Sequence, residues 1–203
     1  MDMNMKDEEK KTVDYYDSFA EAWAAGHGGN EGASYWQTEM ARFHELLPGR
    51  KVLEIGSGAG TDAAALMAMG YDYTGTDASK GLLQVARKRN PTARLLNVTV
   101  HDLDFGVEKF DGFWTAATLL HIPKTRIDEA LVRIKGVIKP GGVGFISLKQ
   151  GEGEKTSIET GRWFAYYGEA EFREVLGRSG YKTVEVQVRP GEEDTWLAFF
   201  VRT

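Results

Sequence analysis

Residues 52–60 read VLEIGSGAG, a short apolar run that ends in three alternating glycines. A brief apolar run closed by glycine has the length and composition of a strand buried on both faces. The glycines mark a tight turn, and the alanine-rich stretch to Met69 reads as the helix that this turn opens. A strand, turn and helix in this order bring bare backbone amides to a helix N-terminus, where a ligand can approach closely. A dinucleotide fingerprint is spaced GxGxxG; here the spacing is GxGxG and Thr61 holds the sixth position, which weakens a pyrophosphate reading. Glu54, just before the turn, would repel a pyrophosphate and suit an ammonium or sulfonium cation. Alone, it reads equally well as a solvated carboxylate at a strand end.

Working outward, strand and helix patterns alternate. YDYTGT, a helix over 80–90 and the strand RLLNV complete a βαβαβ half, and the pattern resumes with FDGFWTAA, a helix over 125–138, the turn Pro140-Gly141-Gly142 and the strand VGFISLK. Such connections demand parallel strands and right-handed crossovers. The tail differs. A helix over 169–179 is followed by YKTVEVQVR, Pro190-Gly191 and TWLAFFVR, which read as a closing antiparallel hairpin. Asp77 ends the second strand about twenty residues beyond the glycine turn, where an acid can accept both hydroxyls of a ribose; its plainer role is a helix N-cap ahead of Ser79.

Upstream, residues 1–12 are polar and charged without an apolar face and read as a disordered leader, leaving 13–203 as a single domain. Val13, Tyr16, Phe19, Ala20 and Trp23 recur at helical spacing and predict a helix over 13–25. The glycines of 26–32 read as a hinge, because glycine costs about 1 kcal/mol per helical position. A second helix is expected over 34–47, with Trp36, Met40, Phe43 and Leu47 on one face.

The chain has 203 residues, 42% hydrophobic and 27% charged, which rejects disordered, collagen-like and coiled-coil classes. Thirty acidic against 25 basic side chains give a formal charge of −5, which disfavours a broad duplex-binding surface. No cysteine is present, so disulfides, thiolate nucleophiles and cysteine-ligated zinc are excluded. The charged N-terminus and the lack of a membrane-length apolar run make the cytoplasm the expected compartment, with no membrane partner. The four histidines show no metal-ligand spacing, so no metal is expected, and no GxSxG elbow supports a hydrolase. Arg87-Lys88-Arg89 reads as a solvated helix end.

VLEIGSGAG, the acid in TGTDAS, FDGFWTAATLLHIP and VIKPGGVGFISLK, in this order and spacing, resemble the class I S-adenosylmethionine-dependent methyltransferases, and the resemblance covers about residues 13–203. It implies an α/β, doubly wound, Rossmann-like seven-stranded sheet of order 3-2-1-4-5-7-6 with the last strand antiparallel, plus two added N-terminal helices. It implies S-adenosyl-L-methionine as cofactor and methyl transfer to a small-molecule acceptor, by a monomer or homodimer. Carried over by position, Glu54, Gly56 and Gly58 would hold the methionyl end, with the carbonyl of Ala116 near it. Asp77 would hold the ribose, Ala78 would lie beside the adenine, and Tyr16 would cover the cofactor. Thr99 and Val100 fall where the family places an acid and a backbone donor for adenine; either the Thr99 hydroxyl or Asp102 would serve. Ala116-Ala117-Thr118-Leu119 lacks the Asn/Asp-Pro-Pro-aromatic tetrad of nucleic-acid amine methylation.

On the acceptor side, Lys149 and the run Arg162, Trp163 and Tyr166 fall in loops at strand C-terminal ends, the edge where doubly wound sheets bind ligands; a satellite hydrophobic cluster is the alternative. His121, just past the fourth strand, is the expected catalytic base, or else a loop-orienting hydrogen-bond donor. Two other functions stay open: a nucleoside-binding regulator without chemistry, and a nicotinamide-dependent oxidoreductase, which Glu54 and Thr61 disfavour.

Overall fold

The decisive apolar run forms β1 (Lys51–Ile55), whose last four residues are buried. β2 (Asp72–Asp77) and β3 (Arg94–Asn97) add to one side of it in parallel, and β4 (Phe110–Thr115) and β5 (Ile138–Lys149) to the other. The final hairpin, β8 (Lys182–Pro190) and β9 (Thr195–Arg202), closes the sheet, with β9 antiparallel to both neighbours. The order β3-β2-β1-β4-β5-β9-β8 bears out the expected topology. The last two numbers differ from expectation because two short strands, β6 (Glu154–Thr156) and β7 (Trp163–Ala165), precede the hairpin. This computed structural model describes residues 4–27, 35–191 and 193–203.

Successive strand residues face opposite ways, so the sheet sorts adjacent side chains into two cores. Val52, Trp114, Phe145 and Phe200 pack on one face, beneath α3 (Gln37–Leu46), α4 (Thr61–Ala68) and α5 (Lys80–Arg89). Leu53, Phe113, Ile146 and Phe199 pack on the other, beneath α6 (Ile127–Val137) and α7 (Glu169–Arg178). Covering both faces leaves the C-terminal edge of the parallel strands as the place where a ligand can enter. No helix among the described residues is long and apolar enough to cross a membrane.

The N-terminal reading needs correction. A helix, α1 (Asp7–Ser18), begins within the expected leader, and α2 (Ala20–His27) follows after a break at Phe19. Residues 7–12 are helical because their polar side chains have partners elsewhere in the fold. Glu9 is buried and accepts hydrogen bonds from Arg126 Nη1 at 2.6 Å, His101 Nε2 at 2.7 Å and the Lys6 amide at 2.9 Å. Thr12 Oγ1 accepts from the Trp163 amide at 2.9 Å. Three acids in the first turn also favour the positive end of the helix dipole. Of the expected glycine hinge, Gly26 and His27 belong to α2, and its remainder falls within residues 28–34, outside the described residues. The acceptor-side segments are likewise not plain loops: Glu154–Thr156 and Trp163–Ala165 pair as an antiparallel ribbon.

Candidate active site

The glycine turn is held against the end of β2. The amides of Gly56 and Ser57 donate to the Thr76 carbonyl at 2.8 and 3.0 Å, and the Gly58 amide donates to Asp77 Oδ2 at 2.8 Å. Asp77 Oδ1 accepts from the Ser79 amide at 2.8 Å, and Ser79 itself caps α5 through Leu82. Asp77 thus ties the first glycine turn to the second helix start, with lone pairs left on both oxygens. Burial pushes its carboxyl up to about 6, against the two amide donors, with the neighbouring Asp17 also raising it. Gly56 has φ +74°, and a Cβ there would lie 2.1 Å from Thr118 Oγ1, so both conformation and space require glycine.

Glu54 is not the solvated carboxylate considered from sequence: it is 3% exposed. Burial drives its carboxyl well above the usual range, nearby Asp62 and Asp77 add to this, and the hydrogen bond donated by Tyr73 works against it. A polar pocket of about 90 Å³ opens beside it, lined by Glu54, Gly56, Ser57, Ala59, Thr61 and Asp62. Ser57 is 5% exposed, and its hydroxyl lies against that of Tyr73. Two acids around a small polar space suit an ammonium group. Sequence reasoning missed Asp62; its place in the first turn of α4, directly after the glycines, was the available signal.

A cavity of about 250 Å³ continues from Gly56 and Gly58 past Asp77 and Ala78 to Val98, Thr99 and Val100. Its roof is α1 and α2, through Glu9, Thr12, Val13, Tyr16 and Trp23. The roof is tied down at a second point, where Asp17 Oδ1 accepts from Ser79 Oγ at 2.6 Å and the Gly81 amide at 2.9 Å. Of the two side chains expected at the adenine, Thr99 lines this cavity, with Val100 beside it. The Asp102 carboxylate instead accepts from Thr99 Oγ1 at 2.7 Å and the Asn4 amide at 3.2 Å. The inner wall is Ala116–Thr118. Ala117 has φ +50°, a left-handed conformation that costs a non-glycine residue about 1–3 kcal/mol and turns the chain sharply at the strand end.

Beyond that turn lies a second cavity, of about 780 Å³, sharing Tyr16, Trp23, Ala116, Ala117 and His121 with the first. Lys149 and Arg162 line it, together with Tyr35, Trp36, Phe164 and Trp196. The rings of Trp163 and Tyr166 line neither cavity; Trp163 contributes its backbone, and Tyr166 packs under Lys155. His121 Nδ1 donates to the Trp163 carbonyl at 2.6 Å, which leaves Nε2 unprotonated. The Tyr16 hydroxyl donates to Nε2 at 3.0 Å and accepts from Arg162 Nη1 at 2.9 Å. Burial pulls the His121 imidazole down to about 4, against the Trp163 bond, and the charges of Arg162 and Lys149 lower it further. Its free lone pair is therefore weakly basic and already occupied by Tyr16, a poor arrangement for the general base expected from sequence.

Residues 52–142 match a family described as a methyltransferase domain. The demethylmenaquinone methyltransferase of Clavibacter sepedonicus is 30% identical over 112 residues, covering 53% of this chain and 44% of that protein. The ubiquinone biosynthesis O-methyltransferase of Alkalilimnicola ehrlichii is 31% identical over 156 residues, covering 74% and 59% respectively. The chain thus spans about half the length of the curated relatives it matches. In fold it is similar to the Burkholderia thailandensis 1,6-didemethyltoxoflavin-N1-methyltransferase, solved with 1,6-didemethyltoxoflavin and S-adenosylhomocysteine. The TM-score is 0.77 at 23% identity, covering 100% of this chain and 93% of that one.

Proposed function

Because the chain carries the domain of the class I S-adenosylmethionine-dependent methyltransferases, we propose that it binds S-adenosylmethionine beneath α1 and transfers its methyl group to a small-molecule acceptor in the adjoining aromatic cavity. The observation that carries this reading is the meeting of two cavities at Ala116, Ala117, Tyr16 and His121, one built for a nucleoside with a charged tail and the other aromatic. The residues fit the cofactor: Glu54 and Asp62 suit the ammonium of an amino-acid tail, and Asp77 has lone pairs for two ribose hydroxyls. Leu82, Val98 and Val100 offer an apolar slot for a flat base beside Ala78 and Thr99. When bound, the cofactor supplies an electrophilic methyl on a sulfonium centre. The relatives named for menaquinone, ubiquinone and toxoflavin chemistry support a small, planar acceptor.

In this reading the protein works by holding two reactants in line and excluding water, effects that can lower a barrier by about 7–11 kcal/mol together. Tyr16 and Trp23 close the junction from the α1–α2 side. His121 acts as a positioning residue: its ring is fixed by the Trp163 carbonyl and in turn fixes the Tyr16 hydroxyl.

If α1 and α2 roof the cofactor, S-adenosylhomocysteine should slow their amide exchange. Hydrogen–deuterium exchange across residues 7–27 is expected to fall on adding the ligand, with little change in α7 on the far face. Exchange in 7–27 that ignores the ligand would place the cofactor elsewhere.

A further inference from the structure

Arg162 lines the second cavity, bonded to the Tyr16 hydroxyl where the two cavities meet, with no carboxylate partner among the described residues. Its bonds go to neutral groups: Nη1 to the Tyr16 hydroxyl at 2.9 Å and Nε to Thr160 Oγ1 at 3.1 Å. Its guanidinium carbon sits 4.9–5.4 Å from the ring centroids of Tyr15, Tyr16, Trp23 and Phe164. The other cation of the cavity, Lys149, is matched by Asp194 at 2.6 Å. The remaining lining acids stand apart from this pairing: Glu193 is exposed, and Asp62 bonds Trp114 Nε1 at 2.8 Å. Ring faces stabilise a guanidinium by about 0.5–2 kcal/mol, less than its usual bidentate oxyanion partner. The side chain is thus held in place by aromatic rings while its anion site is left open toward the acceptor cavity.

The neighbourhood sharpens the point. A sulfonium methyl donor beneath Tyr16 would bring a second positive charge to the same junction, and two facing cations repel unless an anion lies between them. The walls supply rings, from Trp23, Tyr35, Trp36, Phe164 and Trp196, that suit a flat partner. We propose that the acceptor is an aromatic or heteroaromatic oxyanion, a phenolate or ring enolate, whose charged oxygen is received by Arg162. This rests on the methyltransferase reading and names its substrate class.

The chemistry then balances without a base. The acceptor oxygen donates a lone pair to the methyl carbon as the carbon–sulfur bond breaks, the electron pair of that bond stays on sulfur, and the negative and positive charges cancel. No proton moves in the transfer step. Ionisation precedes it, the acceptor giving its proton to bulk water as it binds, because an opposite charge in contact lowers an acid's pKa by about 1–3 units. This also accounts for His121, whose proton-accepting nitrogen is spent on Tyr16 and whose basicity is weak.

The test uses 4-nitrophenol, whose phenolate absorbs in the visible, titrated into protein saturated with S-adenosylhomocysteine. The bound phenol is expected to ionise about 1–3 pH units below its value in buffer, and nitrobenzene, which lacks the oxygen, to bind more weakly. Arg162→Gln should abolish the spectral shift and weaken phenolate binding about ten- to a hundredfold, while Arg162→Lys restores part of the shift. A far-UV circular dichroism spectrum and a cooperative melting transition like those of the wild type show that Arg162→Gln is folded. No phenolate binding to the wild type, an unshifted ionisation, or a shift that survives Arg162→Gln would each overturn the proposal. A wild type that fails to bind S-adenosylhomocysteine at all would overturn the reading beneath it instead.

Discussion

Glu9→Ala is expected to lower the stability of the folded chain by about 3 kcal/mol, the low end for breaking a buried ion pair. The acid is 4% exposed, and its removal leaves the buried Arg126 guanidinium with Glu129 and the Asn4 carbonyl and takes from His101 Nε2 its hydrogen-bond partner among the described residues. Burial pushes the Glu9 carboxyl up, but the bonds from His101, Lys6 and Arg126 outweigh this and hold it below the ordinary range, so the ionised form is the one the fold stabilises. For a chain of this length the melting temperature should fall by about 6–12 °C, measured by calorimetry. Because Glu9 also fastens the roof of the nucleoside cavity, S-adenosylhomocysteine affinity should weaken in parallel. A melting temperature within a degree or two of wild type would reduce the buried cluster to an incidental contact.

The second large effect concerns Asp77. Asp77→Ala removes the acceptor of two backbone amides and of the proposed ribose hydroxyls, and S-adenosylhomocysteine binding should weaken about ten- to a hundredfold, or roughly 1.5–3 kcal/mol. Asp102→Ala should change it no more than about threefold, since that carboxylate does not line the cavity and is engaged by the Thr99 hydroxyl and the Asn4 amide. The pH dependence has a definite sign. An acid raised to about 6 in the unliganded fold contributes stability that is fully present below its unfolded value and is lost as pH rises through about 6. Ribose hydroxyls donate to the ionised form, so ligand affinity should run the other way, nearly constant above pH 6 and falling by up to about tenfold per unit below it. Isothermal titration of the wild type and of Asp77→Asn checks this, since the asparagine variant should lose the dependence. A wild-type affinity flat between pH 5 and 7 would separate Asp77 from the ligand.

The strands and the glycine turn were legible because they rest on local signals, namely apolar runs of strand length, glycines where φ must be positive and a Pro-Gly turn before the last strand, whereas the strand order came only with the family resemblance. The N-terminal helix was misjudged because its stabilising partners are remote. Glu9 meets His101 and Arg126 across separations of 92 and 117 residues, and in sequence those residues show only polarity. The ribbon of β6 and β7 escaped for a related reason, since three-residue strands carry no readable period. At the site, Glu54, Gly56, Gly58 and Asp77 could be singled out by position. The coupling of Tyr16, His121 and Arg162 could not, because it depends on where three separate segments converge. Sequence also gave no sign that His121 would be buried and turned toward Tyr16.

The claim that joins these observations is that the cavity beneath α1 is an S-adenosylmethionine site. Its most direct test is the melting temperature of the wild type with S-adenosylmethionine, S-adenosylhomocysteine or NAD, each added to saturation. At a hundred times its dissociation constant a ligand adds about 2.7 kcal/mol. The two sulfur nucleosides are therefore expected to raise the melting temperature by about 5–11 °C, and NAD to leave it unchanged. No rise with either sulfur nucleoside, or an equal rise with NAD, would contradict the account.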